Sequence, residues 1–118
     1  MPVILQVSRY LGYLISNQFN VQMENAITLI VNKLHLQEEI NGATDTEKLE
    51  RLATYLNDLV LHNFNHLVSI LYRIDVSEQK VRLALAQNPQ NKTAGEIIAQ
   101  LLIEREAQKI EFRKKYKE

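Results

Sequence analysis

An all-α fold, an antiparallel bundle of four to five helices built on one long central helix, is what this sequence predicts. Three observations carry the prediction. Apolar residues recur at three- and four-residue spacing over most of the 118 residues. Boxes of the form Ser/Thr/Asp-x-x-Glu stand where these runs begin, at Thr44–Glu47, Asp75–Glu78 and Thr93–Glu96. Gly and Pro, the residues that interrupt helices, number only three and two.

The opening stretch carries two patterns. Val3, Val7, Tyr10 and Leu14 fit helical spacing, and Pro2 suits a first helical position. Val, Ile and Tyr suit a strand equally well. A lone hairpin would need a partner sheet that the rest of the chain does not offer, so residues 1–18 are assigned to helix. The segment MPVILQVSRYLGYLIS lacks a basic leading region and a small-x-small cleavage site, and Arg9 interrupts it. It reads as structure and not as a targeting signal.

Met23, Ala26, Ile27, Ile30, Val31 and Leu34 form the next stripe, which Phe19 extends upstream. Asn41-Gly42 then offers the residue favoured just beyond a helix end, so this helix is placed near 20–40. Thr44 caps the following one. Leu49, Leu52, Leu56, Leu59, Val60, Asn63, Leu67, Ile70 and Ile74 keep one face without a Pro or Gly, so a single central helix is predicted over 45–74. Asp75 is read as the cap of a short helix with Val76, Val81, Ala84 and Leu85 inward. Pro89 breaks that helix, and the Thr93 box opens the last one, with Ala94, Ile97, Ile98, Leu101 and Leu102 as its apolar face. Beyond Ile103 ten charged residues surround Ala107, Ile110, Phe112 and Tyr116. One domain is expected over 1–118, with 104–118 an exposed charged helical tail. The tyrosines at 10, 13, 55, 72 and 116 are assigned to core and boundary packing.

Composition narrows the function classes. The absence of Cys excludes disulfides, thiolate catalysis and Cys-ligated zinc or iron–sulfur centres in this chain. No uncharged apolar run is long enough for a membrane span, and a cytoplasmic protein is expected. Formal net charge is +0, although residues 1–59 hold 4 Lys/Arg against 7 Asp/Glu and residues 60–118 hold 10 against 7. A neutral chain is not steered strongly to polyanions, so nucleic-acid binding through Arg113, Lys114, Lys115 and Lys117 is not expected.

The sharpest chemical candidate is His62-Asn63-Phe64-Asn65-His66. Two His four apart on one helix point the same way and can share a divalent metal such as Zn or Ni. Asp58 lies one turn earlier, and His35, the third His, can approach from the preceding helix. An HxxxH pair with a third His in a helical bundle resembles the metal site of DinB-like four-helix proteins. Hydrogen-bonded or solvated rings at the boundary of a stripe are the competing reading and the favoured one. No Glu has a His three residues later, as di-iron bundles require. No GxSxG, GxGxxG or GxxxxGK[ST] pattern occurs.

LYRIDVSEQKVRLALAQNP and AGEIIAQLLIEREAQKIEFRKKY, within residues 71–116, resemble small uncharacterised bacterial helical proteins of unknown function. The resemblance implies an all-α fold and a bacterial cytoplasmic origin, and carries no activity. With no reactive cluster in view, and with a charged terminal helix over 104–118 that lacks enough apolar surface to be a core element, the expected function is a non-enzymatic interaction module that binds a protein partner or itself as a homodimer, without a cofactor. The alternative is a metal-binding bundle, or a metal-dependent enzyme, using Asp58, His62, His66 and His35.

Overall fold

The computed structural model describes residues 25–40, 44–88 and 90–116, and all of the regular structure among them is helical. The assignment of residues 1–18 to helix lies outside the described residues. Helix α1 runs through 25–33. Then come α2 (Asp45–His62), α3 (Phe64–Ile74), α4 (Glu78–Ala86) and α5 (Ala94–Tyr116). Buried side chains from all five form one core, with Ile30, Leu52, Leu56, Leu67, Ile74, Ile98 and Leu102 among the most deeply enclosed.

The capping boxes at Thr44 and Thr93 are formed. Thr44 Oγ1 accepts from the Glu47 amide at 3.2 Å, and Thr93 Oγ1 from the Glu96 amide at 3.1 Å. The Glu carboxylates accept from the Thr hydroxyls in return, at 3.2 Å in both, and Glu96 also accepts from the Thr93 backbone N–H at 3.5 Å, which completes the reciprocal box there. Asp75 does not open α4. Ser77 caps it, accepting from the Lys80 amide at 3.1 Å, while Asp75 terminates α3.

The predicted helix 45–74 is broken in two at Asn63. That residue sits on the buried stripe, between Leu59 and Leu67, where a continuous helix would enclose its amide among aliphatic side chains. Burying an unpaired amide is costly. The break leaves Asn63 exposed and gives its side chain a partner, while its backbone keeps the bond that a helix would make. Its backbone N–H donates to the Leu59 carbonyl at 2.8 Å, closing α2, and its side chain accepts from the His66 amide at 3.2 Å, opening α3. The long element against which the others pack is therefore α5, whose main contact is with α2 and which also meets α3 and α4.

Helix α1 ends earlier than the Asn-Gly signal indicated. His35 adopts φ 56°, and the Leu36 amide donates to Val31 O at 2.9 Å while the His35 amide donates to Asn32 O at 3.1 Å. This is a Schellman closure with His in the place that Gly usually takes. The same closure recurs at Asp75, φ 67°, where Val76 N–H reaches Leu71 O at 2.9 Å and Asp75 N–H reaches Tyr72 O at 3.3 Å. Short polar side chains tolerate this backbone region better than others. In both closures the next residue, Leu36 or Val76, is buried, so the turn is held by an apolar anchor as well as by hydrogen bonds.

Exposure of the C-terminal helix begins later than predicted. The 104–118 tail is not wholly outside the core: Glu106 and Ala107 are buried, Ile110 is half-buried, and the exposed side chains described in it are Gln108 and residues 111–115. The reason is a stripe that continues through Ala99, Leu102, Ile103, Glu106, Ala107 and Ile110 at three- and four-residue steps, with a carboxylate in one apolar position.

At its other end α5 approaches α2 at Gly95. The Gly95 amide donates to Asn57 Oδ1 at 3.2 Å. A Cβ added there would overlap the Ala53 carbonyl oxygen and lie 2.7 Å from Asn57 Cβ. Gly is needed here for close approach, in spite of its poor helix propensity. Gly95→Ala is expected to lower the unfolding free energy by about 1–3 kcal/mol, because two backbones must separate to admit the methyl group. Denaturant unfolding checks this, and a stabilised variant would overturn it.

Candidate functional site

Two polar groupings and one apolar strip stand out from this frame. The first is the histidine corner at the α2–α3 junction. His62 ends α2, and its Nε2 lies 3.7 Å from Asp58 Oδ1, one turn back. His66 stands in the first turn of α3, and its Nε2 lies 3.3 Å from the Tyr55 hydroxyl, within hydrogen-bond reach. Burial pushes the Tyr55 phenol above its ordinary pKa, and the nearby Glu39 charge adds to the shift.

The break at Asn63 puts the two imidazoles on different helices, each with its own neighbour. Asp58 and His62 are brought together, whereas His66 is engaged with Tyr55. His35 acts through its backbone at the end of α1. The described residues contain no group of three or more His, Asp or Glu side chains arranged to hold a metal ion. If the pair does not share an ion, His62→Ala and His66→Ala are expected to add within about 0.5 kcal/mol in unfolding experiments, with or without added Zn²⁺. A larger coupling that appears only with metal would contradict this and mark a shared ion.

The second grouping was hidden in what the sequence assigned to the tail. The Glu106 side chain is fully enclosed. Its Oε1 accepts from Lys33 Nζ at 2.7 Å and from Lys109 Nζ at 3.4 Å. Its Oε2 is buried and has no hydrogen-bond donor among the described residues. Lys109 also donates to the Ile74 carbonyl. Arg105 donates through Nε to the Asp75 carbonyl at 3.2 Å and through its terminal nitrogen to the Asp75 carboxylate at 2.8 Å. Arg73 reaches across to the Lys33 carbonyl at 3.1 Å.

Cations thus meet the negative ends of α1 and α3, where the last carbonyls lack intrahelical partners. The hydrogen bond from Arg105, then its charge, hold the exposed Asp75 carboxyl below its ordinary pKa, with Lys109 adding a smaller effect. The sequence signal for this grouping was Glu106 itself, a carboxylate on an otherwise apolar stripe.

Lys33 is about one-third exposed and Glu106 is not exposed at all. Lys33→Met therefore strands a buried carboxylate on Lys109 alone, whereas Glu106→Met leaves Lys33 a route to water. The surface substitution is expected to be the costlier of the two, by roughly 2–3 kcal/mol. Chemical denaturation of both variants tests the order, and the reverse order would contradict this account of the charges.

The third feature is apolar. Leu61, Phe64 and Tyr72 are 68%, 53% and 85% exposed. The assignment of Tyr72 to core or boundary packing is thereby corrected, while Tyr55 is half-buried as a boundary residue. Phe64, half-buried Val68 and Tyr72 follow i, i+4, i+8 along one flank of α3, and Leu61 precedes them across the break. Leu67, Ile70, Leu71 and Ile74 are the buried side of the same helix. From Leu59 to Tyr72 the chain has 14 residues without a single Asp, Glu, Lys or Arg, in a protein that is 24% charged. That run was visible in the sequence, but its exposure was not.

No family model, curated protein or solved structure matches this chain. Among the described residues no helix is long and apolar enough to cross a membrane.

Proposed function

We propose that this chain is a non-enzymatic helical interaction module that associates with a second copy of itself. The observation that carries the reading is the outer flank of α3, where apolar side chains face water on a helix whose other flank is already in the core. A helix that is apolar on much of its circumference is ordinarily covered on more than one side. Large exposed apolar groups on a neighbouring run of positions are the usual mark of an association surface.

The composition of the flank supports the same reading. Interface centres are depleted of charge and enriched in Phe and Tyr relative to the rest of a protein surface. Here eight exposed positions between Leu61 and Tyr72 carry no Asp, Glu, Lys or Arg. The driving force would be release of water from the flank, which scales with the apolar area removed. The end of α5 offers a second exposed aromatic, Phe112, but sets it among Arg113, Lys114 and Lys115. Two copies meeting there would bring like charges together, so the flank of α3 is the better surface for self-association.

The test is the mass of the full chain in solution over a concentration series, by sedimentation or light scattering. The expected result is a mass that rises above the 13.7 kDa of one chain as concentration increases. A single 13.7 kDa species at every concentration up to the solubility limit would reject the reading.

A further inference from the structure

Helix α4 is held to the rest of the molecule by far less than its neighbours are. Helix α2 commits four side chains to the core and the 11-residue α3 another four, whereas α4 commits one, Val81. Ala84 and Leu85, on the same flank, are half-buried, and the other six of its nine residues are exposed. Among the described residues no α4 side chain forms a hydrogen bond or ion pair with another element. The ion pair of Arg82 with Glu78, at 3.5 Å, lies inside the helix. Helix α4 packs chiefly on α5. Nine residues are too few to hold a helix in water without tertiary contact, so undocking and unwinding of α4 are one event.

The two ends of α4 are fixed where its middle is not. Before it, Val76 is buried, and Arg105 of α5 bonds to both the carbonyl and the carboxylate of Asp75. After it, the half-buried Asn88 brackets Lys92: its Nδ2 donates to the Lys92 carbonyl at 2.8 Å, and its Oδ1 accepts from the Lys92 amide at 3.0 Å. We infer that α4 is a lid on α5 that opens as one unit between these two pivots, while α1, α2, α3 and α5 remain packed. Segments with few buried apolar contacts open at a much lower free energy than the core does, and they do so in contiguous cooperative units. Withdrawing Val81 removes one side chain from the core and leaves the enclosed faces of α2, α3 and α5 against one another. Opening thus uncovers the flank of α5 beneath α4 without unfolding the chain. The lid is separate from self-association through α3 and does not depend on it.

Amide hydrogen exchange of the full chain, read by mass spectrometry in a series of urea concentrations below the global transition, tests this. The helical amides of α4 run from Val81, bonded to the Ser77 carbonyl at 3.2 Å, to Gln87, bonded to the Leu83 carbonyl at 3.0 Å. They are expected to be at least about a hundredfold less protected than those of Ile98 to Ala107, and equally so along the helix. Their protection is expected to change little with urea, because opening exposes little surface, whereas that of α5 falls steeply. Leu56→Val, on α2, is expected to lower α5 protection about tenfold and to leave α4 unchanged, because the closed and open forms lose the same contact. The wild-type measurement decides without the variant. Protection in α4 equal to that of α5, falling with it in urea, would mean that α4 opens only when the whole chain unfolds and would overturn the inference. Protection that decays residue by residue from the ends of α4 would overturn it as well, since a fraying helix is not a lid.

Discussion

Glu106 has to be neutralised where it stands, and most of the arrangement around α5 follows from that requirement. Its neighbours on the stripe, Leu102, Ile103 and Ala107, are drawn under the other helices by the expulsion of water, and the carboxylate is carried in with them. A buried carboxylate without counter-charge would cost several kcal/mol. Lys33 at the end of α1 and Lys109 one turn along α5 supply the charge. Lys109 then also satisfies the last carbonyl of α3, so a single ammonium serves a side chain and a helix terminus. The ends of α1 and α3 are thereby held to the middle of α5.

The two Schellman closures fit the same requirement. An α1 extended toward Ile40, or an α3 continued through Asp75, would carry the chain past the point where these cations act. His35 and Asp75 end the helices in the left-handed region, and Leu36 and Val76 immediately re-enter the core. Arg73 and Arg105 bond to carbonyls at those ends, and Arg105 holds the Asp75 carboxylate as well. The turns therefore combine a backbone conformation that disfavours most side chains with three compensations: hydrogen bonds, buried aliphatic anchors and cations at negative helix ends.

Local signals were legible in the sequence wherever one side chain acts on its own neighbourhood. Thr44 and Thr93 cap helices because their hydroxyls are within reach of the third amide onward, and no tertiary information is needed to see it. The apolar stripe of α2 was legible for the same reason. Decisions that balance local preference against the core were not. Asn63 was counted as a member of a continuous stripe, although an amide in that position favours a cap as soon as burial would leave it unpaired. Asp75 resembles a cap by spacing, yet Ser77 does the capping, because the Schellman closure of α3 claims Asp75 first. Glu106 was hidden by the charges around it, since a composition count treats a buried Glu and a solvated one alike. The argument that His62 and His66 share one flank assumed a continuous helix, and Asn63 places them on two.

The flank of α3 belongs to the same class of decision. The apolar stripe placed Leu67, Ile70 and Ile74 on the inner face, and they are enclosed together with Leu71. The break at Asn63 separates α3 from α2, and an 11-residue helix with apolar residues around much of its circumference cannot present all of them to a single core. Phe64, Val68 and Tyr72 are what remains on the outside. Charges at Phe64 and Tyr72 would keep the flank solvated and would leave the core contacts of Leu67 and Ile74 untouched, because those face the other way. Packing among the described residues therefore gives no reason for their exclusion. Large apolar side chains left exposed on an uncharged flank are the usual mark of an association surface, and that is the physical basis for the proposed contact on α3.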